Sequence, residues 1–414
     1  MTYLPRHLND RLIRMVAHFP VVVVAGARQV GKTTWLEHAL PDWDRVTLDA
    51  TVDVEGARRD PDLFLRNRPS PLVIDEVQYA PELVAALKRA VDRDRRAGRF
   101  VLTGSQQWQV LKGLSESLAG RAVFLHLEGF SLAERAEVSG RSWLSRWLEA
   151  PGEPPGRHRL ALHETPHELL WRGSMPEPAL LPLDLVPDWH AGYRRTYIER
   201  DVRQIRSIED AQLFGRFFGL VASQTAQEIN HTQLGRELGI ARTTAQQWLA
   251  LLVGTWQWFE VPAWSGNAAK RLSNKPKGYI ADTGLACTAQ LISTPTALGN
   301  HPLQGALFET AVVAEIRKLC AGMSPSPRLW HWRSHGGAEV DLVLERDGRL
   351  FPIEVKAATA PRRRSVQGLT SFAKTYGDAV APGLVVSLCD RPYALSADTW
   401  AIPWDLAPTP QSVP

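Results

Sequence analysis

The run Gly26-Ala27-Arg28-Gln29-Val30-Gly31-Lys32-Thr33 carries the clearest chemistry in the chain. Its GxxxxGKT spacing is that of a loop whose backbone N–H groups wrap a phosphate. Lys32 would reach the β and γ phosphates, the Thr33 hydroxyl would hold Mg²⁺, and Thr34 would follow along the nucleotide. Downstream, Leu72-Val73-Ile74-Asp75-Glu76 is an apolar run ending in two acids. Asp75 could bind the metal through water, and Glu76 could orient and deprotonate the attacking water. A second acid argues for hydrolysis rather than nucleotide storage. Guanine reading needs Asn-Lys-x-Asp, and Asn274-Lys275-Pro276-Lys277 lacks the final acid, so ATP is the expected nucleotide. In Thr103-Gly104-Ser105-Gln106, Thr103 or Ser105 could sense the γ-phosphate or merely cap the next helix. Arg121, in Leu118-Ala119-Gly120-Arg121, is a candidate to neutralise transition-state charge, in cis or across a subunit boundary.

A second set of acids lies between Gly337 and Lys356. Two alternating segments flank Asp347-Gly348, a strong signal for a two-residue hairpin turn. That turn sets Asp341 opposite Glu354 and Glu339 opposite Lys356, all on one face. Directly opposed Cβ atoms are about 5 Å apart, close enough for Asp341 and Glu354 to share one divalent metal. Two carboxylates so close are costly without a cation or proton between them. Pro352 removes one ladder bond and threatens the register. The plain alternative is an amphipathic hairpin with surface ion pairs.

Residues Thr232–Ile240 and Ala241–Leu249 read as helix, glycine turn, helix. Arg242, Thr243, Gln246 and Gln247 would face a DNA groove, Leu249, Leu251 and Leu252 the core, and Trp256–Pro262 would supply a wing. A lid or packing module is the alternative, because Arg242 is the only basic residue between Ala241 and Val261. Arg194, Arg195, Arg200, Arg203 and Arg206 are offset by Glu199, Asp201 and Glu209. Arg362-Arg363-Arg364 could grip a phosphate backbone. His331 and His335 read as polar loop surface.

The elements that must position these groups follow from hydrophobic pattern. Val21–Val24, Pro71–Asp75 and Phe100–Thr103 are continuous apolar runs, as in strands covered on both faces. Helical patterns such as Glu82–Arg96 separate them, which predicts a doubly wound parallel sheet. The proline- and glycine-rich segment at 150–156 is the best linker candidate. In all, 414 residues with 44% apolar and 22% charged side chains suffice for two to three domains. The net charge of +4 permits a nucleic-acid partner without demanding one. Three scattered cysteines exclude a disulfide framework and a cysteine zinc site. The charged N-terminus and the short apolar runs predict a cytoplasmic protein with no membrane partner.

Taken together, GARQVGKTT, LVIDEVQYAPEL, VLTGSQ, SLAGRA, WRGSMPEP and YIERDVRQI resemble the prokaryotic AAA-like ATPases that end in a domain of unknown function. The resemblance runs from Leu4 to about Lys356; Trp35 and the insertion near 150–160 depart from it. The Asp341…Glu354-x-Lys356 pattern resembles restriction-endonuclease-like nucleases. That likeness implies Mg²⁺ on Asp341 and Glu354, a water-positioning Lys356, Glu309 as a preceding helical acid, and Gln367 as a polar helical residue. The expected fold class is α/β: a P-loop NTPase sheet at 1–149, then a connecting segment at 150–188. A helical winged-helix region would span 189–299, a restriction-endonuclease-like domain 300–405, and a frayed tail 406–414. The expected function is a Mg²⁺-dependent ATPase that controls a nucleic-acid-binding or nuclease-like domain. The alternative is a nucleotide-dependent switch or scaffold that binds DNA or protein without cutting. Expected partners are ATP, DNA and a second copy of the chain.

Overall fold

The computed structural model describes residues 3–48, 54–105, 118–197, 210–267, 271 and 275–409. The chain divides into two compact units. One comprises Pro5–Gly129 with Gly254–Trp256, and the other comprises Met1–Leu4, Phe130–Val253 and Gln257–Pro414.

The first unit is built on a five-stranded parallel sheet of order β2-β3-β4-β1-β5. Its strands are β1 (Val21–Ala25), β2 (Asp44–Thr47), β3 (Leu72–Asp75), β4 (Phe100–Gly104) and β5 (Ala122–His126). Every residue of β1, β3 and β4 is buried, as their unbroken apolar runs require of strands covered on both faces. Helices α1 (Asn9–His18), α2 (Lys32–Ala39), α3 (Val54–Arg59), α4 (Pro61–Arg66) and α5 (Leu83–Arg93) accompany the sheet. Helix α5 turns Leu83, Ala86, Leu87 and Val91 into the core. In register, Ala25 is paired with Gly104, and Ile74 with Leu102. The carboxyl ends of β1, β4 and β3 thus lie side by side, the edge where open α/β sheets bind ligands.

The second unit opens with short helices: α6 (Leu132–Arg135), α7 (Trp143–Glu149), α8 (Pro166–Arg172), α9 (Pro176–Leu180) and α10 (Val186–Thr196). Then come α11 (Ala211–Ser223), β6 (Gln227–Glu228), α12 (His231–Leu238), α13 (Arg242–Gly254), β7 (Trp258–Val261) and β8 (Lys277–Ile280). The three strands form an antiparallel sheet of order β6-β8-β7. Helices α14 (Thr283–Ala289), α15 (Pro295–Gly299) and α16 (Gln304–Ala321) lead to a six-stranded sheet of order β13-β14-β12-β11-β10-β9. Its members are β9 (Arg328–Arg333), β10 (Glu339–Arg346), β11 (Arg349–Lys356), β12 (Gly383–Ser387), β13 (Tyr393–Ser396) and β14 (Thr399–Pro403), with α17 (Gln367–Tyr376) after β11.

Three expectations need correction. The first boundary falls at Gly129/Phe130, not at 149/150, because the 150–156 segment lies inside the second unit. Residues 406–409 are not frayed: Ala407 donates its N–H to the His158 carbonyl, and Thr409 and Arg141 exchange backbone bonds. Leu406 is buried as well. His331 lies on β9 rather than in a loop; it is buried, and Nε2 meets the Lys275 carbonyl at 3.0 Å.

Candidate functional site

The loop between β1 and α2 closes tightly. Gln29 and Gly31 both have positive φ (60° and 86°), which curls successive N–H groups toward one concavity. At Gly26 no side chain is tolerated, since a Cβ there would sit 2.1 Å from the Leu127 carbonyl oxygen. Buried Arg6 braces the loop from outside, donating to the Val30 carbonyl at 2.9 Å and to the Gly129 carbonyl at 3.2 Å. Arg28 reaches the Tyr79 hydroxyl at 3.2 Å. The Lys32 ammonium is buried and donates to the carbonyls of Gly26 (3.0 Å) and Ala27 (2.9 Å), so it already lies across the loop mouth. Thr33 and Thr34 are exposed on the first turn of α2.

Strand order decides what Asp75 meets. Because β4 lies between β1 and β3, its Thr103 hydroxyl donates to Asp75 Oδ1, while Thr33 on α2 donates to Oδ2 at 2.7 Å. A hydroxyl and a carboxylate joined in this way are the hard oxygen donors that Mg²⁺ prefers. Glu76 then turns away with φ 57°, its N–H donating to Thr103 Oγ1 at 3.0 Å. Its carboxylate accepts from Gln78 Nε2 and from Ser105 Oγ, the latter at 3.2 Å. Gln78 also donates to Ser105 Oγ at 3.1 Å, closing a triangle. Lys32, Thr33, Asp75, Glu76, Thr103 and Ser105 are thus gathered at one sheet edge.

Arg121 is not gathered there. It precedes β5, at the strand end opposite the loop, and the length of β5 separates it from the loop edge by roughly 15 Å. Its guanidinium is held by Asp92 at 2.6 and 3.0 Å. The cis role anticipated for Arg121 is therefore excluded by strand direction in this conformation.

In the second unit the Asp347-Gly348 turn forms as expected, with φ of 52° and 77°. Register runs from Arg346↔Arg349 to Leu342↔Ile353, and Pro352 sits opposite Val343 without a shift. Beyond that point the Asp341 side chain takes over, accepting the Val355 N–H at 2.9 Å. Lys356 Nζ lies 2.5 Å from Glu354 and 3.9 Å from Asp341. Glu309, on α16, accepts from the Tyr279 hydroxyl at 2.8 Å. The cation among these acids is a side chain: Lys277 Nζ lies 2.7 Å from Glu309, 3.0 Å from Glu339 and 3.1 Å from Asp341. Among the described residues no group of three or more His, Cys, Asp or Glu side chains could hold a metal ion. The expected second metal site on Asp341 and Glu354 is thus not shown: Lys277 lies against Asp341, and Lys356 against Glu354. Burial, and then the Asp341 charge, pushes the Glu309 carboxyl up to about 8. Glu354 is raised for the same reasons, burial first.

Residues 18–136 match the family described as AAA domain. Residues 163–296 and 304–407 match two families described as domains of unknown function, DUF8612 and DUF4143. Over 358 residues, 86% of this chain and 74% of theirs, the sequence is 31% identical to the uncharacterized proteins Rv2008c of Mycobacterium tuberculosis and Mb2031c of Mycobacterium bovis. The chain belongs to their family. Its first unit is an AAA-type P-loop ATPase domain. The Walker-type ATPase PABY2304 of Pyrococcus abyssi is 15% identical, with 70% of this chain and 99% of that one covered and a TM-score of 0.43.

Two residues that support the AAA domain's site had no signature in the sequence. Gln78 stands two places after Glu76, and only the turn of the chain at Glu76 brings the two side chains together. Arg6 precedes the sheet altogether, and only the fold shows that it braces the loop. In the second unit Arg242, Thr243, Gln246 and Gln247 are exposed on α13, and Leu249, Leu251 and Leu252 are buried. Arg362, Arg363, Arg364 and Gln367 are also exposed. The expected salt-bridged face of Arg200, Arg203 and Arg206 with Glu199, Asp201 and Glu209 lies outside the described residues. No helix among the described residues is long and apolar enough to cross a membrane.

Proposed function

We propose that the AAA domain is a Mg²⁺-dependent ATP hydrolase, a reading carried by the Thr33–Asp75–Thr103 hydrogen-bonded set beside Lys32. Lys32 neutralises phosphate charge at the loop mouth, with the loop N–H groups and the α2 N-terminus adding partial positive charge. Thr33 and Asp75 would hold Mg²⁺, which when bound offsets the charge of the β and γ phosphates. Thr103 fixes the Asp75 carboxylate. Glu76 takes the proton of the attacking water, and Gln78 with Ser105 keeps its carboxylate aimed. Arg121, remote in its own chain, would act only on a neighbouring copy, so that role requires a homo-oligomer. Nucleotide binding and ATP turnover test the assignment. Lys32→Ala is expected to lose nucleotide binding, whereas Glu76→Gln should bind ATP and hydrolyse it on the order of 10²–10⁴-fold more slowly. Wild-type turnover by the Gln variant would remove Glu76 from the mechanism.

The nucleotide cycle, in this proposal, controls the second unit. The α12–turn–α13 pair beside a sheet of order β6-β8-β7 supports a winged helix that meets DNA through Arg242, Thr243, Gln246 and Gln247. The order α16-β9-β10-β11-α17-β12 supports a restriction-endonuclease-like core. A second reading, a switch that binds DNA or protein without cutting, is favoured by the ammonium of Lys277 among the acids. Incubation of the chain with ATP, Mg²⁺ and duplex DNA separates the two: products that disappear in Glu354→Gln support cleavage, and steeply salt-dependent binding without products supports the switch.

A further inference from the structure

Lys277 comes from β8, which pairs with β6 and β7, yet its ammonium ends among acids supplied by α16 and β10. The side chain is 4% exposed. Three carboxylates converge on Nζ within 3.1 Å, the oxygen-rich surroundings a hard cation seeks. A second, independent observation lies in the same cluster: Glu354 Oε2 is buried with no hydrogen-bond partner, and Glu354 is only 9% exposed. An orphaned carboxylate oxygen at that depth is expensive unless a cation or proton can serve it.

We propose that Lys277 is the resident cation of this cluster, a plug that excludes divalent metal while β8 stays in its sheet. The charge balance supports it. Each of Glu309, Glu339, Asp341 and Glu354 has a lysine within 3.1 Å: Lys277 for the first three and Lys356 for Glu354. Removing Lys277 leaves an uncompensated set of oxygens that a divalent metal would fill. The ammonium also explains why β8 is anchored: withdrawing it would strand buried Asp341 and largely buried Glu309 without their cation. Only the regulatory consequence rests on the control reading above, namely that a partner drawing β8 away would open the cluster.

Mn²⁺ alone, titrated into the full chain without nucleotide and followed by electron paramagnetic resonance, tests the proposal. Wild type and Asp341→Asn are expected to bind Mn²⁺ alike. Lys277→Met should gain one further site per chain, and Asp341→Asn in that background should weaken it on the order of 10-fold or more. A folded Lys277→Met chain that gains no site overturns the proposal. So does a wild-type site that Asp341→Asn removes, and this comparison decides the matter even if Lys277→Met does not fold. ATP turnover, expected unchanged in Lys277→Met, reports separately on the Lys32 site.

Discussion

At the scale of single residues, Glu76, the general base of the proposed mechanism, cannot aim itself. Its positive φ carries the carboxylate out of line with β3, and Gln78 and Ser105 fix where it points. Gln78→Ala should therefore lower kcat by up to about 100-fold with little change in KM, as expected when a reacting group is misplaced rather than a binding group lost. Initial rates across an ATP series measure both. A matching rise in KM would mean that Gln78 binds nucleotide instead. Lys32, Thr33, Asp75 and Glu76 were legible in the sequence because each belongs to a local pattern with a fixed spacing. Gln78, Arg6 and Lys277 were not, since their partners lie on other elements or round a turn. Lys277 was even read, as part of a failed guanine motif, without a hint of the carboxylates it meets.

Among the elements, the β10–β11 hairpin shows how much a turn can dictate. Asp347-Gly348 set the register through Pro352 to Leu342↔Ile353, while the bulge between Val340 and Val343 against β9 lay beyond any local signal. Gly348 has φ 77°, so Gly348→Val should destabilise the unit by about 1–2 kcal/mol, read as a lower denaturation midpoint. An unchanged midpoint would mean that the turn relaxes. Neighbouring β9 carries a pH-sensitive feature. Burial is the main cause lowering the His331 pKa below its ordinary 6.5, so the folded chain takes up that proton at lower pH than the unfolded chain does. Its stability is complete above that value and declines as pH falls below it, because the unfolded chain takes up the proton first. His331→Gln should flatten the loss of stability below about pH 6.5 in denaturant titrations, and an unaltered slope would assign it to other groups.

On the scale of the molecule, the second unit is sewn together from distant stretches of chain. Arg159 grips Asp405 at 2.9–3.1 Å, and Trp404 and Leu406 are buried. Trp404→Ala should cost about 3–5 kcal/mol, measurable by chemical denaturation followed by circular dichroism. A fragment beginning at residue 300 should show no cooperative transition, whereas one beginning at Phe130 should; cooperative unfolding of the shorter piece would contradict the shared core. The linker-like prolines at 150–156 misled for this reason: composition marks a chain that turns, not one that leaves. The same stitch sets a clock on biosynthesis. Arg159 and Asp405 are 246 residues apart, so at 5–20 residues per second a ribosome needs about 12–50 s to deliver the partner after the arginine. Throughout that interval the strands of the phosphate-loop sheet are already made, and the half-built second unit exposes the apolar seat of Trp404 to whatever chaperone waits at the tunnel exit.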